Sequence, residues 1–104
     1  MPARVNGELF EEAVLKEAQP VLVDFYSDSC VPCKRMSPLL AELEEEYAGK
    51  VKVVKVNTPF ERPLAEQYEV QSVPTLILFQ NGQETARLSG AVKKAQIKEI
   101  LEQI

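Results

Sequence analysis

Short apolar runs alternate with amphipathic helical stretches along almost the whole chain, and this alternation restricts the fold more than any other feature. Val21-Leu22-Val23-Asp24-Phe25-Tyr26 is β-branched and aromatic, as a buried strand requires. Val51 to Val56 and Thr75 to Gln80 read the same way. Helical periodicity fills the gaps between them. Asn6 can cap a helix over about Gly7 to Lys16, with Leu9, Phe10, Ala13 and Val14 on one face. From Val31 or Pro32 to Ala48, Met36, Leu39, Leu40, Leu43 and Tyr47 form a second stripe. Gly49 ends that helix and Pro38 is expected to kink it. Pro63 opens a short helix bearing Leu64, Ala65 and Tyr68, after a break at Thr58-Pro59. Asn81-Gly82 is a hairpin signal leading into an alternating strand, Glu84 to Ser89, stopped by Gly90. Ile97, Ile100, Leu101 and Ile104 mark a last helix from about Lys93 to Gln103, and Ala3 to Val5 has room for a short strand.

Strands separated by helices pair in parallel through right-handed crossovers, and the closing hairpin adds antiparallel pairs. The expected class is therefore α/β: a central mixed sheet of four or five strands with helices on both faces. At 104 residues, one domain spanning 1–104 is expected. Lys plus Arg number 12 against 16 Asp plus Glu, a net charge of −4, so there is no basic footprint for nucleic acid or an anionic membrane surface. Apolar runs such as Leu76-Ile77-Leu78-Phe79 fall far short of a membrane span. The N-terminal MPARVNGELFEE has no apolar segment of the secretory kind, and the expected location is cytoplasmic. A monomer is expected.

The chain has two cysteines, in Cys30-Val31-Pro32-Cys33, and no histidine. A bridge three residues long closes almost no loop, so the pair reads as chemical rather than architectural. It falls where a strand gives way to a helix, the end of an open α/β sheet at which sites form. Free N–H groups and the macrodipole at a helix start favour an anion, and a thiolate is the reactive form of cysteine. Cys30 at that position is the attacking sulfur, and Cys33, one turn on, is the resolving one. Lys34 and Arg35 add positive charge nearby. Two other readings stay open on the motif alone. It is half of a zinc site, though the missing histidine removes the commonest partner ligand. It is also compatible with two idle thiols in a binding or scaffold module.

Several ordered segments together resemble the thioredoxin family over nearly the full length: Val23-Asp24-Phe25-Tyr26, Cys30-Val31-Pro32-Cys33-Lys34 with Pro38 beyond it, Lys55-Val56-Asn57, Val73-Pro74-Thr75, Phe79-Gln80-Asn81-Gly82 and Gly90-Ala91. The resemblance implies the thioredoxin fold and a thiol–disulfide oxidoreductase that reduces protein disulfides without a bound cofactor. Its partners would be disulfide-containing proteins and a reductase-type electron donor, linked to pyridine nucleotide or ferredoxin. It implies that Asp24 is the buried aspartate beneath the cysteines and that Lys55 pairs near it. Burial between Val23 and Phe25 would by itself raise the Asp24 pKa towards neutrality and fit it to take the Cys33 proton. By the same resemblance Pro74 is a cis-proline, which turns the Val73 backbone toward an extended substrate segment, and Gly90 and Ala91 wall the same groove. Val31, Pro32 and Ser29 complete the contact surface. The family's usual Trp-Cys-Gly-Pro-Cys is here Ser29-Cys30-Val31-Pro32-Cys33. Ser29 gives up a flat apolar contact and is expected to cap the helix or bond near the thiolate. Val31 is expected to crowd substrates and shift the redox potential, which keeps a more oxidising, isomerase-like poise as an alternative. Tyr26 stands where the family has an upstream tryptophan, and Thr58-Pro59 follows Asn57 where an aspartate is usual.

Overall fold

Strand β2 (Val21–Tyr26) is buried along its whole length because it lies at the centre of a five-stranded sheet covered on both faces. The computed structural model describes residues 2–104. β2 pairs in parallel with β3 (Lys52–Asn57), which pairs in parallel with the short β1 (Ala3–Arg4). On its other side β2 runs antiparallel to β4 (Thr75–Gln80), and β4 antiparallel to β5 (Gln83–Ser89). The order is β1-β3-β2-β4-β5, the mixed sheet expected from the element sequence.

Successive strand residues point to opposite faces, so the three central strands each feed two cores. Val21, Val23, Phe25, Val54, Val56, Ile77 and Phe79 meet the helix α1 (Gly7–Phe10) and α3 (Arg62–Gln67) through Phe10, Val14 and Leu64. The rings of Phe10, Tyr68 and Phe79 interlock there, with Tyr68 and Phe79 edge-to-face at 5.2 Å. Leu22, Val53, Leu76 and Leu78 face the other way, onto Met36, Leu40 and Leu43 of α2 (Val31–Glu46) and Ile97 and Leu101 of α4 (Lys94–Leu101). Asp24 shares this second face with Leu22. Leu40 is fully buried among these side chains. Leu40→Ala is expected to cost about 3 kcal/mol, read as a lower urea midpoint at unchanged slope. A loss under about 1 kcal/mol would show that α2 is not clamped to the sheet at this point.

Several local expectations are corrected. The first helix is not α-helical throughout: after Phe10 it widens into a π-helical stretch, Glu11–Leu15, closed by the Lys16 N–H on the Glu11 carbonyl at 2.8 Å. Its end docks on the hairpin so closely that a Cβ on Gly82 would stand 2.9 Å from the Leu15 carbonyl oxygen, a long-range contact no local pattern contains. The Thr58-Pro59 break is a 3₁₀ turn, Thr58–Phe60. α2 stops at Glu46 rather than Ala48 and passes through Pro38, whose missing N–H leaves the Lys34 carbonyl without its helical donor. β3 is shifted one residue forward from the expected Val51–Val56, and α4 ends at Leu101 rather than Gln103. Alternation in β5 is interrupted: Leu78 faces Ala86 while Phe79 faces Glu84, leaving Thr85 as an extra residue bonded to the Leu78 carbonyl.

Candidate active site

The carboxyl end of β2 delivers the chain to the cysteines through the turn Ser27-Asp28-Ser29. The Cys30 N–H donates to the Ser27 carbonyl at 3.2 Å, which closes the turn. Cys30 then occupies the N-cap of α2 with extended backbone, φ −89° and ψ 112°, and Pro32 sits in the first turn where an N–H is dispensable. The expected capping by Ser29 does not occur: its hydroxyl pairs with the Ser27 hydroxyl at 3.0 Å. The capping acceptor is the Cys30 sulfur itself, which receives the Cys33 backbone N–H at 3.1 Å. One of the otherwise unpaired donors of the first helical turn is thus aimed at Cys30 Sγ. A donor and a macrodipole so placed favour negative charge on that atom.

Cys30 and Cys33 are joined as a disulfide, with Cα atoms 5.2 Å apart. The two sulfurs differ in access. Cys33 is 5% exposed, whereas Cys30 is partly open and Val31 beside it is 58% exposed. Cys30 is thus the more accessible of the two.

Asp24 lies on the sheet face that α2 covers, 1% exposed, and its Oδ1 has no hydrogen-bond partner. Burial pushes its carboxyl up to about 6, against a smaller opposing pull from the Lys55 charge. An acid titrating near neutrality can take up a proton at physiological pH. Lys55 stands opposite Asp24 in the β2–β3 register. It does not close an ion pair there; its ammonium lies 4.3 Å from the centroid of the Tyr26 ring, a cation–π contact. A cavity of about 80 Å³ is lined by Cys33, Tyr26, Ser37 and Lys55, among others. At about 30 Å³ per water, it has room for solvent that would carry a proton away from Cys33.

The β2–β4 register sets Phe25 beside Thr75, so Pro74 falls at the same end of the sheet as the cysteines. The Val73–Pro74 peptide is cis. Gly90 donates its N–H to the Pro74 carbonyl at 2.8 Å and has φ +84°, a conformation that favours glycine. Ala91 follows it, exposed. Ser29, Val31, Pro32, Pro74, Gly90 and Ala91 therefore gather at one end of the molecule, and Val73 stands half-buried beside them.

Some features here escaped the sequence reading. Asn57 donates its side-chain amide to Asp28 at 3.0 Å, tying β3 to the turn before Cys30. Thr58 donates its hydroxyl to the Tyr26 carbonyl at 3.1 Å. The polar residues around the break carried a signal for such bonds, but the partner strand could not be named from local pattern. Among the described residues no His, Cys, Asp or Glu joins the cysteines to make a metal-binding group of three or more, so the chain itself does not complete the half zinc site. Among them, too, no helix is long and apolar enough to cross a membrane.

The family model that matches, thioredoxin, covers residues 2–103. Thioredoxin 1 of Nostoc sp. is 42% identical over 100 residues, which is 96% of this chain and 94% of that protein. Thioredoxin of Synechocystis sp. is 42% identical over 99 residues, 95% of this chain and 92% of that protein. The chloroplastic M-type thioredoxin of Spinacia oleracea is 40% identical over 98 residues, 94% of this chain and 54% of that longer protein.

Proposed function

The chain belongs to the thioredoxin family and is a thiol–disulfide oxidoreductase, and on that premise we propose that it works in the reducing direction on protein disulfides, with Cys30 attacking and Cys33 resolving. The observation that carries the reading is the Cys30 sulfur at the tip of α2, accepting the Cys33 N–H. The Cys30 thiolate displaces one sulfur of the substrate disulfide. The displaced sulfur leaves as a thiolate and takes a proton from water. A mixed disulfide now joins Cys30 to the substrate. The Cys33 thiol gives up its proton through solvent to the Asp24 carboxylate, and its thiolate attacks Cys30 Sγ. The second substrate sulfur departs and is protonated. Two electrons have passed from the dithiol to the substrate, and the protein holds the Cys30–Cys33 bridge.

Lys55 assists by keeping positive charge beside Asp24, so that the carboxyl is available in its anionic form at neutral pH. Val73, next to the cis-proline, offers its backbone to an extended substrate segment, while Gly90 and Ala91 leave the opposite wall low. Ser29, Val31 and Pro32 form the rim. The protein acts as a monomer in a single domain, in the cytoplasm, and a reductase-type dithiol donor returns its electrons. The thioredoxins of Nostoc sp. and Synechocystis sp. support that placement, whereas the relative from Spinacia oleracea is named chloroplastic.

The test is the pH dependence of Cys30 alkylation in the reduced protein. A midpoint below about 7.5 is expected, against about 8.5 for an unperturbed thiol. It should accompany accelerated reduction of insulin disulfides by dithiothreitol. An unperturbed midpoint together with no acceleration would favour a scaffold with idle cysteines.

A further inference from the structure

A groove of about 340 Å³ reaches Asp28 in the turn before Cys30, and Arg4, Leu9, Asn57 and Phe60 are among its other walls. Phe60 is 77% exposed and Leu9 54%. Single exposed apolar side chains are ordinary, but two of them lining one concavity beside a reactive sulfur are not scattered at random. Phe60 is also held in place. It ends the Thr58–Phe60 turn, which Pro59 stiffens and the Thr58–Tyr26 hydrogen bond fastens to the end of β2.

The groove and the small cavity at Cys33 share one wall residue. Asp28, two residues before Cys30, borders both this groove and the small cavity at Cys33. A protein partner covers about 800 Å² of surface, a disc roughly 16 Å in radius. The molecule is 29 Å across in its longer dimensions. A substrate protein with its disulfide over Cys30 therefore extends over the groove. The groove's two carboxylates are already engaged, Asp28 by the Asn57 amide at 3.0 Å and Glu61 by the Gly7 N–H at 2.7 Å. Arg4 also lines the groove, its guanidinium 6.0 Å from the centroid of the Tyr26 ring, so Leu9 and Phe60 form the exposed apolar part of a mixed surface, and Ser29, immediately before Cys30, supplies no such part itself.

We propose that the groove between Leu9 and Phe60 receives an apolar side chain of the protein substrate, aromatic or large aliphatic, carried close to the disulfide that Cys30 attacks. This rests on the reducing reading above. Phe60 then sets specificity for protein over small-molecule disulfides and takes no part in the thiol chemistry.

The experiment compares kcat/KM for insulin and for glutathione disulfide in the wild type and Phe60→Ser. The insulin-to-glutathione ratio is expected to fall about five- to tenfold in the variant, mainly through KM. An unchanged ratio overturns the groove and leaves the reducing reading intact. A wild type that reduces neither compound removes the reducing reading, and the groove with it. The chain has no tryptophan, so Phe60→Trp in a Cys33→Ser background places one reporter in the groove. Its emission should shift to the blue when Cys30 forms a mixed disulfide with insulin, and stay unchanged with glutathione. Identical spectra overturn the proposal. So does a wild type that sediments as a dimer while Phe60→Ser is monomeric, because the occupant would then be a second copy.

Discussion

Cys33→Ser protein is expected to hold its substrate as a stable mixed disulfide through Cys30, while Cys30→Ser holds none and loses turnover by at least about a thousandfold. The asymmetry follows from access and charge. Cys30 sits at the helix tip with a donor aimed at its sulfur, whereas Cys33 is 5% exposed and cannot meet an intermolecular disulfide first. Removing Cys33 leaves the first exchange intact and deletes the only nearby thiol that releases the adduct. Non-reducing electrophoresis of each variant after exposure to oxidised insulin reads the outcome directly. Adducts on Cys30→Ser and none on Cys33→Ser would reverse the two roles.

Asp24→Asn should make the protein more stable and a slower catalyst. A carboxyl whose pKa is higher folded than unfolded binds its proton more tightly in the folded state. For Asp24 the rise is from 3.8 to about 6, driven first by burial. Its contribution is most favourable below about 4 and is lost as pH rises through about 6, because above that point the fold must hold a buried charge. A gap of this size corresponds to roughly 3 kcal/mol at pH 8. Urea unfolding at pH 8 should show Asp24→Asn more stable by up to about that amount, with the difference vanishing near pH 4. Release of product from a preformed mixed disulfide should slow by about a hundredfold at pH 7 and lose its inflection near pH 6. A variant less stable at pH 8, or one resolving the adduct at the wild-type rate, would remove Asp24 from the proton path.

These two residues also show how far the amino-acid order reaches. Cys30 and Cys33 sit within one helical turn, so the reactive pair and its place at a helix start were legible from spacing alone. Asp24 between Val23 and Phe25 was legible as a buried acid because it interrupts a strand otherwise apolar throughout. Lys55 was legible as a strand residue, but its stacking on Tyr26 depends on side-chain rotamers across two strands. Capping the helix was one of two roles expected of Ser29, because a hydroxyl is the usual acceptor there, but its hydroxyl pairs with that of Ser27 and the Cys30 sulfur is the acceptor.

The strand and helix patterns, the hairpin at Asn81-Gly82 and the cysteine motif are properties of residues within about one helical turn or one strand of each other. Backbone propensity and hydrophobic period operate at that range, and the sequence by itself determined them. The meeting of Asp28 with Asn57, of Leu15 with Gly82 and of Gly90 with Pro74, and the placing of Leu9 and Phe60 on one groove, join segments far apart in the chain. Such contacts follow from sheet order and register, which depend on the simultaneous packing of two helical layers. Only the tertiary structure decided them.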